Sequence, residues 1–205
     1  MVGTARACPL FTKLADTFSP LSNSAALALK NAGVGAVGRY LENLSVAERD
    51  GLFASGLDIL LLSEAPSGVL SKDVGHARAA SLLQHLATLE APRGVHVMID
   101  LEAQHGAHSD IIAYDNALAS DLEVAGYIPL AYVGAEQALS GAELYALPSV
   151  HLYWRGGSRG MPEPLCEFAI WQIPPLEQAV AGVNVDMSMT GADLRGRRPM
   201  LWCAT

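Results

Sequence analysis

Gly94-Val95-His96-Val97-Met98-Ile99-Asp100-Leu101-Glu102 is a run of β-forming residues that ends on two carboxylates. Read as a strand, it sends alternate side chains to opposite faces. Asp100 and Glu102 then project to one side, and Val97, Ile99 and Leu101 to the other. Their Cα atoms would be about 6.5 to 7 Å apart, at a rise of roughly 3.3 Å per residue. That spacing suits paired acid chemistry, and it equally suits two solvated residues where a strand meets a loop.

Working outward, residues 57–64 form a near-continuous apolar run that also finishes on a carboxylate, Glu64, as a strand covered on both faces would. Residues 14–18 read as a first strand ending near Asp16, and residues 35–41 as a second, ending Gly38-Arg39-Tyr40. Helical patterns fall between these runs. Ser22 or Ser24 can cap one that stops at Gly33, and Ser45 with Glu48 makes a capping-box pattern for the next. A long helix is expected over 73–89, broken by Pro92 and Gly94, and another from Ser109 to Ala125 with Ile111, Ile112, Leu118 and Leu122 on its apolar face. A fifth strand over 127–134 and a shorter helix over 136–145 follow.

From Val150 the pattern changes. Residues 150–155, 167–173 and 183–189 read as strands, but the connections hold Gly156, Gly157, Gly160, Pro162, Pro164, Pro174, Pro175 and Gly182. They leave little room for helices. Strands alternating with helices imply a parallel sheet with right-handed crossovers, and eight strands suggest closure. The sequence therefore predicts an α/β protein: a single TIM-like barrel over residues 14–190, five β-α units followed by three strands with few or no helices. Residues 1–13 are expected as an N-terminal extension and 191–205 as a C-terminal tail. An open doubly wound sheet is the alternative, but no Gly-rich phosphate loop follows the first strand.

Composition narrows the partners. With 51% hydrophobic and 17% charged residues, a chain of 205 can bury a large two-sided sheet. A formal charge of −8 argues against nucleic acid. The one basic cluster, Arg195, Arg197 and Arg198, reads as part of a solvated tail. Cys8, Cys166 and Cys203 have neither disulfide-framework nor zinc-ligand spacing and read as buried or free thiols. Residues 1–14 lack the apolar run of a signal peptide and no stretch is long enough for a bilayer. The expectation is a protein made in the cytoplasm, with no membrane partner, that would reach a cell wall only by another export route or by lysis.

In a barrel of this kind the active site lies at the C-terminal ends of the strands. Asp16, Glu64, Asp100 with Glu102, and Asp186 end, or nearly end, strands one, three, four and eight, and strands one and eight are neighbours once the barrel closes. Tyr40, Tyr132, Trp154 and Trp171 fall late in strands two, five, six and seven. Rings beside acids suit stacking on sugars, although each ring alone could equally be core packing. The pair His105 and His108, with Asp110 beside it, shows no evident third ligand and reads as a polar loop, so no metal or cofactor is expected. His96 lies deeper on the strand and reads as a core imidazole. Ser63, Ser67 and Ser71 lack a nucleophile elbow, and Cys166 lacks a histidine partner.

Asp16 after the first strand, Asp100-Leu101-Glu102 on the fourth, Trp171-Gln172 on the seventh and Val185-Asp186 on the eighth resemble the family-25 glycoside hydrolases, the Chalaropsis-type lysozymes. Asp16-Thr17-Phe18-Ser19-Pro20 and Gly38-Arg39-Tyr40-Leu41 resemble more closely their glycoside-hydrolase-like relatives, domain-of-unknown-function family 1906. The resemblance runs from about residue 16 to residue 189. It implies the same barrel, and cleavage of the β-1,4 bond after N-acetylmuramic acid in peptidoglycan, without a cofactor. Carried over by position, Glu102 is the general acid, Asp100 the adjacent acid, and Asp16 and Asp186 supporting carboxylates. Tyr40, Glu64, Tyr132, Trp154, Trp171 and Gln172 are the expected glycan-binding residues, Glu64 without a catalytic counterpart.

Such chemistry needs one carboxyl protonated and another ionised, and crowded acids raise at least one pKa. The anionic partner would be Asp100 or Asp186, or either would orient the substrate's acetamido group. The Cα spacing leaves retention and inversion both open. A competing reading is a non-catalytic glycan-binding or structural barrel, for example in a phage virion, rather than an endolysin.

Overall fold

The computed structural model describes residues 3–205. In chain order these form β1 (Gly3–Ala7), β2 (Lys13–Asp16), α1 (Asn23–Asn31), β3 (Ala36–Tyr40), α2 (Val46–Ala54), β4 (Asp58–Leu62), α3 (Lys72–Thr88), β5 (His96–Asp100), α4 (His108–Val124), β6 (Ile128–Val133), α5 (Gly141–Tyr145), β7 (Leu152–Arg155), β8 (Ile170–Val180), β9 (Val183–Thr190) and β10 (Met200–Ala204). Strands β2 to β9 close into an eight-stranded barrel with five helices outside it. No helix among the described residues is long and apolar enough to cross a membrane.

The period-two alternation of the strands produces two apolar layers. Leu14, Leu60, Leu62, Met98, Leu130 and Trp154 point inward and fill the barrel. Val37, Ile59, Leu61, Val97 and Ile99 point outward and meet Leu29, Leu52, Leu82, Leu86, Leu118 and Leu122. Burial on both faces explains the low charge content. Ser22, Ser45, Ser71 and Ser140 each cap a helix by accepting a backbone N–H, and Ser140 with Glu143 completes a reciprocal capping box. Ser109 does not cap α4. The cap position lies two residues earlier, at Ala107, which offers no side-chain cap. Cys8, Cys166 and Cys203 are buried free thiols.

Three features depart from the expected architecture. Strand β9 runs antiparallel to both neighbours, β8 and β2, so a tight turn at Ala181-Gly182 replaces a crossover. The sheet is mixed rather than all parallel. Secondly, both terminal segments are strands rather than extension and solvated tail. β1 pairs with β10, and β10 enters the sheet through Trp202 opposite Ile59 on β4, where β4 and β5 pair only at Leu61–Val97 and Leu62–Met98. Trp202 is fully buried with Phe53 edge-on at 5.3 Å and the Arg49 guanidinium 5.6 Å from its ring. Thirdly, Glu48 does not turn back onto Ser45 to complete the box. Its carboxylate instead accepts from Arg39 Nε and Leu21 N–H, both at 2.8 Å, in a buried ion pair.

Candidate active site

The mouth at the C-terminal ends of β2 to β7 holds a continuous cleft. One part is walled by Asp100, Glu102, Tyr132, Trp154 and Gln172; the other, of about 340 Å³, by Thr17, Phe18, Ser19, Glu177 and Asn184. Asp16, Tyr40 and Asp186 line both parts. Of the ten residues expected at the site, the structure brings together eight: Asp16, Tyr40, Asp100, Glu102, Tyr132, Trp154, Gln172 and Asp186.

The other two lie elsewhere. Trp171 alternates with Gln172 along β8, so when Gln172 faces the cleft Trp171 faces out, where it packs against the outer apolar layer and Gly191. Glu64, beyond the end of β4, lines a separate depression with Pro66, Val74, Arg78 and Tyr114. His108, expected in a polar loop, is the first residue of α4 and bonds Glu143 at 3.0 Å.

Local folding sets each acid. Strand β5 ends at Asp100, and Glu102 stands in the turn after it rather than on the strand. Asp100 Oδ1 caps that turn by accepting the Glu102 N–H at 3.0 Å. The next residue, Ala103, has φ of 52°, a left-handed conformation that an L-residue adopts at a cost of about 1 to 2 kcal/mol. The turn is clamped from both sides. Ala103 N–H bonds Ala135 O, and Gln137 Nε2 bonds Leu101 O at 3.0 Å. On the far side Gln104 Nε2 donates at 2.8 Å to Asp115 Oδ1, a fully buried carboxyl on α4. Ala135 N–H then donates to Glu102 Oε2 at 3.1 Å.

Asp186 reaches the mouth by a different route. Because β9 is antiparallel, its early residues are at the top, and Asp186 stands directly opposite Asp16 in register. Gln172 Nε2 donates to Asp186 Oδ2 at 2.9 Å, and Glu177 N–H bonds Asp186 Oδ1. Gln172 Oε1 in turn accepts from Tyr132 Oη at 2.9 Å and Gly157 N–H at 2.8 Å. Asp16 Oδ2 is buried without a hydrogen-bond partner among the described residues.

Burial dominates the electrostatics. It pushes Asp16 well above the usual carboxylate range, with the Asp186 and Asp100 charges adding to it. Burial raises Asp100 to about 7 against the restraint of the Glu102 N–H. Glu102 is raised by burial first and by Asp186 and Glu136 next, while the Ala135 N–H opposes the shift. Crowding of like charges, the cause expected from sequence, is secondary. The site can therefore hold a proton on one carboxyl beside an ionised neighbour.

Against known structures, the chain superimposes on an uncharacterised protein of B. stearothermophilus at a TM-score of 0.71, with 16% identity over 87% of this chain and 95% of that one. It superimposes on a family 25 glycosyl hydrolase from Bacillus anthracis at 0.63, with 11% identity over 87% and 88%, and on a muramidase from Trichobolus zukalii at 0.59, with 14% identity over 90% and 95%. The barrel is family-25-like. No known family profile and no curated protein matches the sequence. At these identities the likeness establishes the fold alone.

Residues of the cleft which the sequence reading missed are Phe18, Glu177 and Asn184. Phe18 is 58% exposed and lies 5.4 Å from the Tyr40 ring, an apolar platform on the rim. Its adjacency to Asp16 was a usable signal. Glu177 and Asn184 stand on the β8–β9 hairpin, whose strand character is hidden by Pro174-Pro175.

Two predictions arise here. Gly134 leaves the space that the Glu102 carboxylate fills, since a Cβ there would lie 1.9 Å from Glu102 Oε2 and 2.5 Å from the Tyr132 ring. Gly134→Ala should displace that carboxylate by about 1 Å and reduce turnover by roughly 10²-fold, while the crowding of the Tyr132 ring costs about 1 to 3 kcal/mol of stability. Kinetics with the parent's substrate check it; full turnover in the variant would mean that Glu102 is not held by this contact.

The second concerns pH and stability. Asp100 and Asp115 are each raised by burial from 3.8 to about 7. Between those values the folded chain binds protons that the unfolded chain releases, so stability falls as pH rises from about 4 to about 7 and levels off above. His96, lowered by burial to about 3 from 6.5, acts in the opposite sense over much of that window, but for one group against several. Thermal melts at stepped pH should show the net fall, and Asp115→Asn should flatten it. A melting temperature that climbs through this window would contradict the burial argument.

Proposed function

We propose that this protein is a peptidoglycan-cleaving glycosidase of the muramidase kind. The observation that carries the reading is the convergence of Asp16 from β2, Asp100 and Glu102 from the end of β5, and Asp186 from β9 onto one cleft walled by Tyr40, Tyr132 and Trp154. Glu102, half-exposed and with a raised pKa, is the proton donor to the leaving glycosidic oxygen. Asp186, held by Gln172 and the Glu177 N–H, faces the positive charge that develops at the anomeric carbon. Asp100 shapes the Glu102 turn, and Asp16 stands opposite Asp186 in register. Phe18 and Tyr40 offer rings for a sugar next to the cleavage point. The muramidase among the similar structures supports the choice of bond, and the Asp16-Thr17-Phe18-Ser19-Pro20 segment supports a relation to domain-of-unknown-function family 1906.

The test is digestion of purified peptidoglycan followed by mass analysis of the soluble products. Fragments with reducing N-acetylmuramic acid ends are expected. Binding to the wall with no fragments released would instead identify a glycan-binding module.

A further inference from the structure

At the opposite end of the barrel a second cavity, of about 450 Å³, opens between the first residues of β5, β6 and β7 and the segment leading into β10. Ala7, Ile128, Leu152 and Met200 give it apolar walls. Its polar groups are all nitrogen donors or bases: His96, His151, Arg197 and Arg198. No carboxylate lines it, in a chain of net charge −8.

The donors are not equivalent. His96 is 5% exposed, and its Nδ1 accepts the Met200 N–H at 2.7 Å. A neutral imidazole that accepts at Nδ1 carries its hydrogen on Nε2. Burial keeps this ring neutral at any ordinary pH. His96 Nε2–H has no partner among the described residues, on a ring that lines the cavity. Arg197 is already neutralised by Asp193, to which Nε and Nη2 donate at 2.7 and 2.6 Å. His151 stands 3.9 Å from Glu123. Arg198 is exposed and has no carboxylate partner among the described residues. One fixed neutral donor at the buried side and one uncompensated guanidinium at the rim thus face a space with apolar walls.

We infer that this cavity is a second binding site, for a monocarboxylate with an apolar body. One surplus positive charge matches a monoanion better than a phosphate dianion, and the walls require an apolar chain or ring rather than a free inorganic ion. The site does not depend on the glycosidase reading, since it lies at the other end of the barrel and shares no lining residue with the cleft.

Octanoate is a suitable probe, titrated into the full-length protein by calorimetry and by nitrogen-15 NMR of the histidine rings. One saturable site is expected, with the His96 Nε2–H resonance shifting on binding. Octan-1-ol and octylammonium should bind at least tenfold more weakly, and so should inorganic phosphate. Arg198→Gln, a surface change that leaves the barrel intact, should weaken octanoate at least tenfold. Equal affinity for octan-1-ol, undiminished affinity in Arg198→Gln, phosphate binding as tight as octanoate, or an unmoved His96 resonance would each overturn the inference.

Discussion

Glu102→Gln should abolish glycan cleavage, lowering turnover by about 10² to 10⁴-fold, while the melting temperature stays near the parent's. The fold tolerates the change because, among the described residues, the one hydrogen bond of the carboxylate is as an acceptor. Ala135 N–H reaches Glu102 Oε2 at 3.1 Å, and a glutamine Oε1 can accept the same bond. Only the transferable proton is lost. The Asp100 cap on the Glu102 N–H is a backbone contact and survives. Release of reducing ends from purified walls by parent and variant side by side measures the effect. A variant that keeps even half of the parent's rate would remove Glu102 as donor and turn attention to Asp100, whose own carboxyl sits near 7.

Glu48→Ala should destabilise the protein by about 3 to 5 kcal/mol, the largest effect expected on stability. Arg39 is fully buried on β3, and its guanidinium bonds Glu48 and Thr17 O while Nη2 already lacks a partner among the described residues. Removing Glu48 leaves a buried cation without its counter-ion and orphans the Leu21 N–H as well. In a domain of this size the change should lower the melting temperature by roughly 10 °C. Glu48→Gln, which keeps an acceptor, should lose less. The same pair fixes residues 17–21, which carry Phe18, so the alanine variant should also bind glycan more weakly. Thermal denaturation of the three proteins decides the point, and equal melting temperatures would mean that the pair contributes no net stability.

The strands that bury both faces were legible because continuous apolar runs such as residues 57–62 have few other uses. The acids were legible because a strand's C-terminal end is where a barrel exposes side chains. Direction was not. Nothing in residues 183–189 states that the strand runs downward, and Asp186 was expected near the end of a parallel strand when it stands in the first half of an antiparallel one. The Trp171 error was avoidable, since adjacent residues of a strand cannot both face one cleft. Glu48 shows the opposite failure. Its local pattern satisfied a capping box, but a buried arginine nine positions earlier was the stronger partner, and that competition is tertiary. The terminal strands were missed because Gly3–Ala7 carries Arg6 and small residues that read as surface until Trp202 is placed behind them.

The pairing of β2 with β9 has a consequence for biosynthesis. Lys13–Asp16 leave the ribosome early and can pair with β3 soon after, but find their second partner only when Val183–Thr190 emerge, more than 160 residues later. Until then the nascent sheet has an open edge at β2, and closure depends on contacts of very high sequence separation, which are slow to form. The last pairs to zip include Asp16 with Asp186. Completion of the barrel and completion of the acidic cleft are therefore one event, so a chain stalled before residue 183 carries most of its hydrophobic surface but lacks Asp186, the partner of Asp16.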